Sequence, residues 1–70
     1  MKLNKGERWK WVNCCVIELK EDVMIGSKVI TTPCYNFTHD DSYGTAIFDN
    51  IDIQRGDWKL LHNQDRPNET

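Results

Sequence analysis

The sequence predicts an all-β domain, a single small curled sheet or barrel of five to six short antiparallel strands. Three observations carry that expectation. β-branched and aromatic residues dominate every apolar run, and Ala46 is the only alanine, so helix propensity is poor and strand propensity good. Polar and apolar residues alternate with period two at the ends of the longest run. Turn-forming clusters recur at spacings of roughly eight to twelve residues, the rhythm of small barrels and sandwiches.

Trp9 to Leu19 is the longest candidate strand. Trp9, Trp11, Cys15, Ile17 and Leu19 share one face, and Lys10, Val12, Cys14, Val16 and Glu18 the other. The middle of this run is apolar on both faces, as expected of a central strand covered on both sides or of one curling into a barrel. Asn13 interrupts it and suggests a bulge. Lys20-Glu21-Asp22 is a polar turn. Val23 to Ile25 runs into Gly26-Ser27, after which Lys28 to Thr32 is again extended, the pattern of a two-residue hairpin with Gly26 at positive φ. Pro33 has no N–H, so the strand is expected to end there or lie on an edge.

Cys34 to Thr38 alternates, with Tyr35 and Phe37 opposite Asn36, and His39 to Gly44 reads as loop throughout. Thr45 to Ile53 is a further strand region. Ile47, Ile51 and Ile53 share a phase that Asp49 breaks and Phe48 opposes, so Asp49-Asn50 is expected to hold a bulge or turn. Gln54 to Asp57 turns the chain into a last strand, where Trp58, Leu60 and His62 alternate with Lys59 and Leu61. No large apolar side chain lies beyond it, so the domain is expected over residues 1–62 with a frayed polar tail at 63–70. The whole is SH3-like or OB-like in size, without the sequence marks of either.

At 70 residues and 39% hydrophobic content, one marginally stable domain is expected, with seven aromatic residues partly compensating for a small core and a homodimer or bound partner as further support. No run is long and apolar enough for a membrane span, and the polar start argues against a signal peptide. Three cysteines, Cys14, Cys15 and Cys34, have no scaffold spacing. Adjacent strand residues point to opposite faces, so buried free thiols and a cytoplasmic location are the expectation. Asn36-Phe37-Thr38 and Asn68-Glu69-Thr70 fit the N-x-[ST] pattern, which is short enough to recur by chance.

Catalytic chemistry finds little footing. Ser42, His39, Asp40 and Asp41 lie on one short stretch, whereas a triad needs groups held by separate elements. Cys14, Cys15, Cys34, His39 and His62 lack metal-ligand spacing, so neither cofactor nor metal is expected. A chain this short is also not expected to enclose easily a pocket of several hundred Å³.

Charge is more informative. Residues 1–30 carry a net +2 and residues 31–70 a net −4, giving −2 overall. The acidic half offers Asp40, Asp41, Asp49 and Asp52, with Tyr43 as an aromatic anchor, for binding another protein. The Pro33–Thr38 segment is a candidate edge for strand addition. The basic half interleaves Lys5, Arg8 and Lys10 with Trp9 and Trp11, the combination of phosphate charge and stacking faces that single-stranded nucleic acid needs. The leading expectation is therefore a non-catalytic protein-interaction domain, a small regulator or inhibitor of a partner; the alternative is a single-stranded nucleic-acid binder. In size and style the chain resembles the small accessory proteins of phages and mobile elements.

Overall fold

The computed structural model describes residues 1–62; the tail expected at 63–70 lies outside them. The elements in chain order are β1 (Lys2–Leu3), β2 (Arg8–Trp11), β3 (Val16–Leu19), β4 (Val23–Met24), β5 (Ile30–Asn36), β6 (Asp41–Phe48), α1 (Asn50–Arg55) and β7 (Trp58–His62). Strands β6-β5-β3-β2-β7 form one antiparallel sheet and β1-β4 a second of two strands. The all-β class is therefore what forms, but not a closed barrel: β6 and β7 stand at the two ends of the sheet order.

The sheet is nonetheless strongly curled. Laid flat, its outer strands would lie about 19 Å apart at the usual strand spacing. Instead Phe48 at the end of β6 stacks on Trp58 at the start of β7, with ring centroids 4.5 Å apart. The Trp58 indole Nε1–H also donates to the Ile47 carbonyl at 3.0 Å. Trp9 meets Phe48 edge-on, with centroids 5.8 Å apart. Ile17, Leu19, Cys34 and Ala46 fill the rest of the concave face. Burying Phe48 or Leu19 fully is worth about 1.5–3 kcal/mol each. The small β1-β4 sheet closes one end of this core with Leu3, Val23 and Ile25.

Several local expectations are corrected. Trp9–Leu19 is not one strand but the β2-β3 hairpin, with Trp9 opposite Ile17 and Asn13 in the turn rather than at a bulge. Paired residues are an even number apart, so odd-numbered residues face inward on both sides of the turn and periodicity cannot tell a hairpin from a strand. Gly26-Ser27 makes no hairpin: β4 pairs with β1, and Gly26 is not among the positive-φ glycines. Strand β5 takes β3 and β6 as its two neighbours, leaving β4 to the amino-terminal segment. Asp41–Gly44 is strand rather than loop, because β6 continues the ladder to Asn36↔Asp41.

Pro33 lies neither at a strand end nor on an edge, but in mid-strand between β3 and β6. Its carbonyl accepts the Lys20 N–H at 3.4 Å, so its nitrogen also points toward the β3 side. There β3 has already ended at Leu19. The missing donor removes no ladder bond, which removes the usual objection to a central proline.

The break expected at Asp49-Asn50 is present, but it leads into a helical turn rather than a strand. The Asp49 carboxylate caps that turn by accepting the Ile51 N–H at 3.0 Å. Gly56 ends it at φ 86°, the left-handed conformation that glycine adopts without a Cβ penalty.

Candidate functional site

The curl leaves a seam beside β6, and the backbone alternation shows which groups face it. Because Pro33 points its polar groups toward β3, its partner Thr45 forms no hydrogen bond with it and points its own N–H and C=O away from β5. Ile47 has the same parity, and its carbonyl is indeed taken from outside the ladder by Trp58. Among the described residues, Thr45 N–H, Thr45 C=O and Ile47 N–H thus form an unpaired row along the β6 edge. Tyr43, further along this strand, is 91% exposed and Ile47 57%.

Beside this row lies a cleft of about 370 Å³. It is lined by Thr45, Ala46 and Ile47 of β6, by Trp11, Ile17 and Trp58 from β2, β3 and β7, and by Asn36, Asp52 and Cys15. The two indoles meet edge to face, with centroids 4.9 Å apart at 60°. Trp11 is only half-buried, so part of its ring stays open. A pocket was not expected from so short a chain; it exists because the sheet curls without closing, so the cleft is open rather than enclosed.

The acidic residues singled out from the sequence fall into two groups. Asp40, Asp41 and Tyr43 sit around the start of β6: Tyr35 donates its hydroxyl to Asp40, and Asp41 accepts the Tyr43 N–H at 2.9 Å. That bond with Asp40, together with lesser burial and charge effects, holds the Tyr35 phenol above its ordinary pKa. Asp49 and Asp52 lie at the far end, with Asp49 about eight residues or ~26 Å beyond Asp41 along an extended strand. Asp49 caps α1, and Asp52 lies 3.5 Å from Arg55, which also binds Asp57 at 2.7 Å. Asp57 first, then Asp52 and Asp49, hold the Arg55 guanidinium above its ordinary pKa.

The basic-aromatic set is also divided. Trp9 is 6% exposed, and its Nε1–H donates to the buried Glu7 carboxylate at 3.1 Å. Lys5 lies by the small sheet, its N–H bonded to Asp22 Oδ1 at 2.8 Å. Arg8 and Lys10 are exposed; Arg8 pairs with Glu18 at 3.1 Å and lies over the Phe37 ring at 4.6 Å. Lys20, which was not singled out, lies over Tyr43 and bonds the Ser42 carbonyl.

The expectation of three free thiols is corrected. Cys14 and Cys15 are joined in a disulfide within the β2-β3 turn, where the strand alternation that would separate them does not apply. The thiol argument for a cytoplasmic location therefore lapses. Cys34 alone is free and fully buried; burial pushes its thiol pKa up, with Lys20 opposing and Asp41 adding. Such a thiol is unreactive. The Pro33–Thr38 edge is also corrected: that segment lies between β3 and β6, and the edge on that side of the sheet is β6 itself.

No helix among the described residues is long and apolar enough to cross a membrane. Comparison of the chain with protein-family models, with curated proteins and with solved structures found no match.

Sequence reasoning missed the pairing of Trp11 with Trp58 and the role of Thr45, Ala46 and Ile47 in lining the cleft. No local signal marks the first. The second was readable in part, since Pro33 already hints that its cross-strand partner makes no ladder bond.

Proposed function

We propose that the chain is a non-catalytic binding module that holds an extended segment of a partner protein along the open edge of β6, by strand addition. The observation that carries this is the unpaired row of Thr45 and Ile47 groups beside an open cleft. Main-chain bonds supply affinity in such a mode, and a pocket for alternate side chains supplies specificity. Tyr43 and Ile47 flank the edge as apolar contacts, and Asp40 and Asp41 bias the partner toward a basic sequence. A small regulator or inhibitor works in this way when it occupies its partner's segment.

Thr45→Pro tests the reading, because it removes an edge N–H that no ladder bond uses. Binders selected from a library of extended peptides are expected to lose at least about tenfold in affinity on Thr45→Pro, with the circular dichroism spectrum unchanged. Undiminished binding to the folded variant overturns the proposal. Self-association through β6, read by sedimentation of the free protein, is the competing occupant. Single-stranded nucleic acid is the second reading, favoured by the cation-aromatic contacts of Arg8 with Phe37 and Lys20 with Tyr43 on exposed residues. It requires oligonucleotide binding with a salt slope, which absence of binding at low salt removes.

A further inference from the structure

We propose that the cleft beside β6 receives one cationic side chain, a lysine ammonium or arginine guanidinium, carried by the extended partner segment; this rests on the reading of β6 as a peptide-binding edge. Strand addition turns alternate side chains to opposite faces, so a segment paired with Thr45 and Ile47 directs one residue into the cleft and its neighbours away. The volume of about 370 Å³ is at the small end for ligand sites, large enough for a long side chain but small for a drug-sized molecule.

The chemistry of the lining selects the charge. The lining includes the Trp11–Trp58 corner, with Trp11 incompletely covered. An indole face attracts a cation within about 6 Å of its centroid. Asp52 is the one charged residue of the lining. Around α1 the three carboxylates of Asp49, Asp52 and Asp57 outnumber the two described cations, Arg55 and the Lys59 whose side chain passes beside Gly56, and Arg55 is bound more closely by Asp57 at 2.7 Å than by Asp52 at 3.5 Å. Asp52 therefore retains negative charge to offer. A neutral aliphatic occupant would suit Ile17 and Ala46, but it would strip water from Asp52 without replacing it. An anion would be repelled. A cation combines attraction to an indole face with charge complementarity to Asp52.

Two probes separate this inference from the strand-addition reading on which it rests. n-Butylammonium and n-butylguanidinium, compared with n-butanol, address the cleft without any backbone. Indole N–H shifts of Trp11 and Trp58 on titration with the cations, and none with the alcohol, are expected; shifts equal for all three overturn the cationic preference. A short β-forming peptide with a central lysine, compared with its norleucine twin, addresses both readings. The lysine form is expected to bind about tenfold more tightly, and Asp52→Asn to abolish that difference without weakening the norleucine peptide. Asp52→Asn leaves the Asp49 cap and the Arg55–Asp57 pair in place, so its fold is expected to persist. Equal binding of both peptides to wild-type protein overturns the inference and leaves strand addition standing. Cation shifts without any peptide binding keep the cleft assignment and overturn strand addition. Neither probe binding overturns both.

Discussion

Thr32 is the place where the core is least well satisfied, and replacing it gives the sharpest test of the packing. Its side chain is 4% exposed on β5, and its hydroxyl has no hydrogen-bond partner among the described residues. A buried hydroxyl left unpaired costs about 1–3 kcal/mol on the scale of protein mutational data. Thr32→Val keeps the β-branched shape and replaces the hydroxyl by a methyl, which the surrounding Ala46 and aromatic core accept. The expected gain is about 1–2 kcal/mol. For a domain of this size each kcal/mol raises Tm by roughly 4–8 °C. In urea, with m near ~1 kcal/mol/M for a small domain, the midpoint moves up by about 1–2 M at constant m. Urea unfolding followed by Trp fluorescence measures it. Thr32→Ser is the control, since it keeps the hydroxyl and loses a methyl, and it is expected to destabilise by about 1 kcal/mol. A Thr32→Val midpoint at or below wild type, with m unchanged, would refute the claim that this hydroxyl is unpaired.

Other predictions concern buried and exposed polar groups. Glu7→Ala strips the acceptor from the buried Trp9 Nε1–H and from Asn4 Nδ2, so a loss of about 1–3 kcal/mol in urea unfolding is expected. Asp22 is held below its ordinary value of 3.8, chiefly by the Lys5 N–H and then by Lys2. A lowered carboxylate stabilises the fold above its unfolded pKa and loses that contribution as pH falls through the folded one. The stability difference between wild type and Asp22→Asn is therefore expected to persist at neutral pH and to close below about pH 3.8; a gap independent of pH contradicts the role of that charge. Thiol titration of the native, unreduced protein is expected to find none reactive, one per chain after denaturation alone, and three after reduction and denaturation.

How much of this was legible in the sequence differs by element. The faces of β2 and β3 were readable because alternation is a local property: Trp9, Ile17 and Leu19 point inward whatever lies between them. The turn at Val12–Cys15 was not, since an even spacing across a hairpin preserves the alternation. The helical turn left a trace in Asp49 and Gly56, its two caps, but Ile51-Asp52-Ile53 alternates like a strand and hid it. The candidate site residues fared unevenly for the same reason. Tyr43, Asp40 and Asp41 were recognisable by type, and the structure does bring them together around the start of β6. Asp49 and Asp52 share their type but lie at the far end of that strand.

The sequence by itself determined the all-β class, the inward set of aromatic and branched residues, and the division of charge between the two halves. These arise from side-chain volume, branching and charge, which each residue carries without reference to its neighbours in space. The tertiary structure alone decided that β4 pairs with β1, that Pro33 sits harmlessly in a central strand, and that Trp11 and Trp58 meet beside an open edge of β6. Each depends on which strands lie side by side and on how far the sheet curls, quantities fixed by long-range pairing and core packing rather than by any short stretch of chain.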